Sequence, residues 1–206
     1  MHSSLPIIIL AAGLSSRMRG RDKLMEPIDG TSLLVRQVGR ARAATNGPVL
    51  VALPPPPHTR HDALEHVGVE RIAVPDAGAG ISASLRTALC ALAPQTPAVM
   101  ILLPDLPDIT TEDMRRVMSA IDLSHDDCVW RGTTADGKPG HPVVIAAPLF
   151  AEFKRLSGDS GGSEILKRYR SRTCLVPLPG DRARLDLDTP EDWAAWRAAR
   201  NETEAT

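Results

Sequence analysis

The chain has 206 residues, 43% of them apolar, and a formal net charge of −1. That length supports one domain with a full core, and the charge excludes a broad basic face for nucleic acid. Aromatics are only 3%, which leaves no stacking platform for single strands. The three cysteines, Cys90, Cys128 and Cys174, form no CxxC pair. They argue against a disulfide framework or a zinc site and read as small buried hydrophobes. The apolar run Leu5–Ala12 is too short for a signal peptide or a membrane span, so a cytoplasmic protein with no membrane partner is expected.

In chain order, LPIIILAA (5–12) predicts a strand buried on both faces. A helix follows over 31–44, with Leu34, Val38 and Ala41 on one face. PVLVAL (48–53) is a second strand, and the run Pro54–Pro57 forces a loop. A short helix over 58–66 and a strand over 69–74 come next. Ile81, Leu85, Ala88, Leu89 and Leu92 repeat at helical spacing. AVMILL (98–103) is a fourth buried strand. Thr110 opens a helix with Met114, Val117, Met118 and Ile121 as its stripe. The second half is less regular: strands at 126–132, 141–147, 172–178 and 183–188, and helices at 148–156, 163–169 and 189–200. Thr189 caps the last helix, and 201–206 is expected to be a frayed tail. Strands alternating with helices predict a largely parallel sheet covered on both faces. The expected organisation is one domain over 1–200.

The strongest motif is ILAAGLSSRMRGRDKL (9–24). A buried strand runs into the small-residue turn Ala11-Ala12-Gly13, then Ser15, Ser16, Arg17 and, six residues on, Lys23. Small residues let backbone N–H groups approach an anion, and a guanidinium and an ammonium can hold different phosphate oxygens. The carboxyl end of a strand is where open α/β sheets bind ligands. By spacing alone, an ordinary βα turn with solvated Arg and Lys fits equally well.

The same residues resemble the LAxGxSxRMGxxK signature of the MobA-like NTP transferases. The LAAG start, Leu10–Gly13, is more like that of the molybdenum cofactor cytidylyltransferases than the LAGG of the guanylyltransferases. The resemblance runs over about 5–193 and implies a Rossmann-like α/β/α domain of the nucleotide-diphospho-sugar transferase type. It implies a nucleotidyltransferase that moves CMP from CTP (or GMP from GTP) to a phosphorylated acceptor of the molybdopterin type, with Mg²⁺ or Mn²⁺ as the metal. Leu10, Ala11, Ala12 and Gly13 would face the nucleotide, and Arg17 and Lys23 would clamp the triphosphate. Two alternatives stay open: another phosphorylated acceptor, or a non-catalytic chaperone that delivers cofactor to a molybdoenzyme. One departure is Arg19, which stands where the family has glycine, with Gly20 displaced by one.

Further elements follow in the family's order. MILLPDLPDIT (100–110) puts Asp105 just past a central strand, suited to a metal ligand or to a turn. Its match to the family's LxDxP element implies a metal ligand, whereas Asp108 reads as turn chemistry. RLDLDTPEDW (184–193) places Asp186 and Asp188 two apart, on one face of a strand. The resemblance gives them the second metal position, Asp188 before Asp186, while helix capping explains Asp188 equally. Glu191 and Asp192 read as first-turn acids. DAGAGISASL (76–85) offers Ser82 and Ser84 at a helix start, as base and ribose contacts or as plain caps. GKPGHPVVI (137–145) resembles the molybdenum cofactor subgroup, implying that His141 meets the acceptor phosphate or pterin. SGDSGG (157–162) resembles its GDxG element but lacks the basic residue that often follows. His58, His61, His66 and His125 show no partner pattern and read as surface.

Overall fold

A computed structural model describes residues 4–156 and 162–204. β1 is Ile7–Leu10, four residues buried on both faces. A two-residue pair, β2 (Pro27–Ile28) and β3 (Thr31–Ser32), forms a small antiparallel hairpin that the periodicity did not predict. Helix α1 runs Leu33–Ala44, two residues later than expected, because Ser32 becomes its cap and accepts from the Val35 N–H. β4 is Val49–Leu53, α2 is Thr59–Ala63 and β5 is Glu70–Ala73. α3 (Ile81–Cys90) precedes β6 (Ala98–Leu102), and α4 (Thr111–Ser119) precedes β7 (Val129–Thr133) and β8 (Pro139–Ala146). α5 (Phe150–Phe153) and α6 (Ser163–Arg168) are short; β9 (Thr173–Pro177) and α7 (Pro190–Glu204) end the chain. α7 extends four residues beyond its expected end, through most of the tail.

The seven-stranded sheet has the order β5-β4-β1-β6-β8-β7-β9. β1 lies parallel to β4 and β6, and β4 to β5. β8 alone in this sheet runs against its neighbours, pairing antiparallel with β6 and β7. The Ile-rich β1 sits near the centre, as its unbroken apolar run requires. Buried Leu34, Val38 and Ala41 from α1 and Leu85, Ala88 and Leu89 from α3 join the core, as their spacing predicts.

The expected strand at 183–188 does not form. β6 is already paired on both edges, so the segment finds no ladder. Its Leu187 N–H still donates to the Asp105 carbonyl at 3.0 Å. Two smaller expectations also change. Cys90 is exposed and Cys174 half-buried; only Cys128 is buried. His58 caps α2 by accepting from the Arg60 N–H, and His61 Nε2 meets the Pro54 carbonyl at 2.7 Å. Among the described residues no helix is long and apolar enough to cross a membrane.

Candidate active site

The chain reverses from β4-side to β6-side connections at β1, and a crevice opens beyond the carboxyl ends of these strands. A cavity of about 300 Å³ lies there, lined among others by Leu10, Gly13, Lys23, Ser84, Pro104 and Asp105. It draws on the loop after β1, the loop before α3 and the loop after β6.

Lys23 is the hub. Its Nζ donates to Asp105 Oδ2 at 2.6 Å and to Asp188 Oδ1 at 2.6 Å. Arg17 Nη1 reaches the other oxygen of Asp188, Oδ2, at 2.8 Å while remaining largely exposed. Burial opposes the charge on Lys23, but Asp105 and then Asp188 outweigh it and raise its pKa. Asp105 Oδ1 is buried with no hydrogen-bond partner. Asp188 is free to face Lys23 because the capping falls to its neighbours. Thr189 Oγ1 accepts from the Asp192 N–H, and Asp192 Oδ2 accepts from the N–H groups of Thr189 and Asp188. Asp192 is thus a cap that also fixes the backbone of Asp188, and Glu191 pairs with Arg19. Asp108 sits in a turn, but its carboxylate accepts from Trp196 Nε1 on α7 at 3.1 Å.

Asp186 separates from Asp188. Without a ladder the two do not share a strand face, and Asp186 turns into a neighbouring groove lined also by Arg40, Arg182 and Trp196. Burial, then the charges of Asp188 and Asp105, push its carboxyl pKa up. Ser84 lines the cavity, whereas Ser82 lies in the core with its Oγ unpartnered. Ala11 and Ala12 are fully buried beneath the loop, and only Leu10 and Gly13 of the LAAG turn line the cavity. A Cβ built on Gly13 would meet no protein atom within 4 Å. The fold does not need glycine there; the space it leaves belongs to the cavity.

Arg60 and Asp22 were not singled out in the sequence. Arg60, on α2, is buried and donates from Nη1 to the carbonyls of Ala11 (2.6 Å) and Gly13 (2.8 Å). Its Nη2 reaches Ser15 Oγ at 3.1 Å and Asp22 Oδ1 at 2.6 Å, and its Nε reaches Asp22 Oδ2 at 2.7 Å. A carbonyl and the N–H of the following residue point in opposite directions within the plane of a trans peptide. Fixing the carbonyls of Ala11 and Gly13 toward Arg60 therefore turns the N–H groups of Ala12 and Leu14 away from it. Among the described residues nothing accepts from the N–H groups of Ala12, Gly13 and Leu14. A guanidinium bidentate to a carboxylate is a rigid brace. Burial raises the Asp22 pKa, but Arg60 more than cancels this and the net shift is downward. Asp22 lies inside the 9–24 motif and Arg60 in the expected helix over 58–66, and no spacing in the sequence links the two.

The displaced glycine has a structural consequence. Arg19 takes the left-handed conformation (φ 53°) and Gly20 follows at φ 86°. The turn after Met18 thus keeps two positive-φ residues and carries the cost of one non-glycine there. His141 is the third residue of β8, half-buried, with Nδ1 3.5 Å from the Ile101 carbonyl. Burial, then the Arg131 guanidinium, push its imidazole pKa down to about 4. The GDxG-like stretch, apart from Gly162, lies outside the described residues.

Residues 7–173 match the model of the MobA-like NTP transferase domain. No curated protein matches the chain. Among solved structures, Rv0371c from Mycobacterium tuberculosis H37Rv aligns with a TM-score of 0.81 at 26% identity, covering 95% of this chain and 98% of that one. Its complex with manganese aligns at 0.77 and 25%, covering 94% and 97%. A CMP:2-keto-3-deoxy-manno-octonic acid synthetase complexed with CTP aligns at 0.72 and 16%, covering 98% and 100%, a likeness of fold. The mostly parallel seven-stranded sheet with flanking helices is the Rossmann-like arrangement of the nucleotide-diphospho-sugar transferases.

Proposed function

The chain belongs to the MobA-like NTP transferase family, and we propose that it transfers CMP from CTP to a phosphorylated acceptor of the molybdopterin type. One observation carries the reading: Lys23 draws Asp105 and Asp188 together at the rim of a cavity lined by Gly13 and Ser84. A cation between two carboxylates, beside a loop with three unused N–H groups, is an arrangement for a metal-bound triphosphate. The LAAG start, Leu10–Gly13, resembles that of the cytidylyltransferases and supports CTP as the donor.

The residues fit a divalent metal. Asp105 offers a buried oxygen without a partner, and Asp188 offers a second carboxylate. Among the described residues no group of three or more His, Cys, Asp and Glu side chains gathers to hold an ion. The two carboxylates of Asp105 and Asp188 suit Mg²⁺, which binds through one or two carboxylates plus substrate phosphates and water. When bound, the ion would neutralise charge on the triphosphate. Lys23 and Arg17 supply the remaining positive charge, and the N–H groups of Ala12, Gly13 and Leu14 supply fixed donors. An oxygen of the acceptor phosphate attacks the α-phosphorus in line; a new P–O bond forms, and the bond to pyrophosphate breaks. No general base is required, because a phosphate nucleophile is already ionised at neutral pH. Positioning and charge neutralisation account for catalysis.

A one-domain organisation over 1–200 and a molybdoenzyme or its chaperone as protein partner complete the proposal. The test is to incubate the purified protein with Mg²⁺, molybdopterin and either CTP or GTP, and to measure pyrophosphate. Release with CTP at least about tenfold more efficient than with GTP is expected. A GTP preference overturns the choice of base, and nucleotide binding without pyrophosphate favours the chaperone reading.

A further inference from the structure

We infer that Arg131 and Arg184 form, across Gly140, a binding site for an oxyanion carried by the acceptor, either a phosphate monoester or a carboxylate. The inference rests on the nucleotidyl-transfer reading above for the identity of the ligand, but not for the existence of the site.

The geometry begins with β7 and β8. Arg131 stands opposite Val143 in the antiparallel ladder, where the register shifts before the next pair, Thr133 and Pro139. Its Nε donates to the Gly140 carbonyl at 3.3 Å. On the other side of Gly140 lies the 183–184 segment. A Cβ at position 140 would fall 2.0 Å from the Ala183 carbonyl oxygen and 2.9 Å from Arg184 Cγ, so only glycine permits this approach. The His141 N–H donates to the same Ala183 carbonyl at 2.8 Å. The two arginines therefore flank one short stretch of backbone, which explains the glycine of the Gly-His-Pro motif.

Neither arginine forms an ion pair among the described residues, and Arg131 is half-buried. Placing one poorly solvated guanidinium near another without a counter-charge is unfavourable, and a bound oxyanion would relieve both terms. Burial, then Arg184, push the Arg131 pKa down, as expected for like charges that lack a compensating anion. His141 plays a different part. A carbonyl can only accept, so the contact with Ile101 puts the proton on Nδ1 and leaves Nε2 as an acceptor. His141 is then suited to a hydroxyl or N–H beside the anion, and the positive charge comes from the arginines.

The location suits an acceptor. Arg184 and Asp188 are four residues apart, so their Cα atoms lie within about 14 Å. The Leu187 N–H fastens the intervening segment to the Asp105 carbonyl. An acceptor of modest size can touch both places.

The test uses the full chain with Mg²⁺ and a non-hydrolysable CTP analogue, so that the proposed triphosphate site is filled. Inorganic phosphate and, separately, acetate are titrated while the Arg131 Nε–H resonance is followed, assigned by its loss in R131Q. Phosphate should shift it saturably, and R184Q should weaken that binding at least about tenfold without changing affinity for the analogue. Saturation by phosphate alone assigns the site to phosphate monoesters, and saturation by acetate as well extends it to carboxylates. No saturable shift, or one that R184Q leaves unchanged, overturns the site. If the analogue does not bind, the nucleotide reading fails by itself, and the same titration on the free protein still decides the oxyanion site.

Discussion

The Lys23 ammonium lies 2.6 Å from the Asp105 carboxylate, although 82 residues separate them in the chain. The same ammonium meets Asp188, so a single cation neutralises two carboxylates that would otherwise repel. It stands where the proposed divalent ion would be held. Lys23 therefore has two parts in the proposal: it keeps the carboxylates apart from each other's charge before the ion arrives, and it turns to the phosphates afterwards.

Lys23→Ala should separate these parts. Losing a charged transition-state contact lowers kcat/KM by at least about 100-fold. Mn²⁺ should bind the variant more tightly than wild type, since the competing ammonium is gone. Turnover assays and Mn²⁺ titration by electron paramagnetic resonance read the two effects. Weaker Mn²⁺ binding would end the idea that Lys23 stands in for the ion, and near-normal turnover would remove it from the chemistry.

Gly13→Ala tests whether the space at the LAAG turn is for a ligand. The added methyl meets no protein atom within 4 Å, so the melting temperature should stay at the wild-type value. Nucleotide affinity, measured by calorimetry, should drop at least about tenfold. Unchanged affinity would show that the cavity beside Gly13 is not the nucleotide site.

Arg60→Met removes the brace under the loop. Asp22 loses its counter-ion, and two carbonyls lose their donors, at a cost of about 3 kcal/mol. Denaturant unfolding should show that loss. Arg60→Lys should recover only part of it, because an ammonium cannot fork across Asp22 while also reaching Ala11 and Gly13. Full recovery by lysine would mean that charge alone, rather than the fork, holds the loop.

His141 sets an acid-side dependence. Its folded pKa, about 4, lies below the ordinary value of 6.5. Below pH 6.5 the unfolded chain takes up the proton first, so stability is full above that value and falls as pH drops toward 4. His141→Gln should flatten this limb of the stability curve between those two values. A curve unchanged by the substitution would place the acid sensitivity elsewhere.

The local features of this protein were written in short stretches of sequence. The apolar runs of β1 and β6, the stripes of α1 and α3, and the Thr110 cap each depend on neighbours within a turn or a strand. Thr110 caps α4 as expected, and Asp113 closes a capping box by accepting from the Thr110 N–H at 3.0 Å. The ends of β1 and β6, just before the candidate loop and Asp105, were likewise readable, because apolar runs stop there; the parts given to Lys23 and Asp105 came from the resemblance of their motifs. What the tertiary structure decided were choices among distant partners. The alternation in 183–188 satisfied strand periodicity, yet β6 had no free edge to offer it, so Asp186 turned into the groove with Arg40 and Arg182 while Asp188 met Lys23. Arg60 carried no local mark at all. Its importance comes from α2 lying under the loop after β1, which brings one guanidinium to two carbonyls and a carboxylate that are 38 to 49 residues away in sequence. Periodicity reports burial, which is local and repetitive; hydrogen-bond partnership at this site depends on strand order, which no single segment encodes.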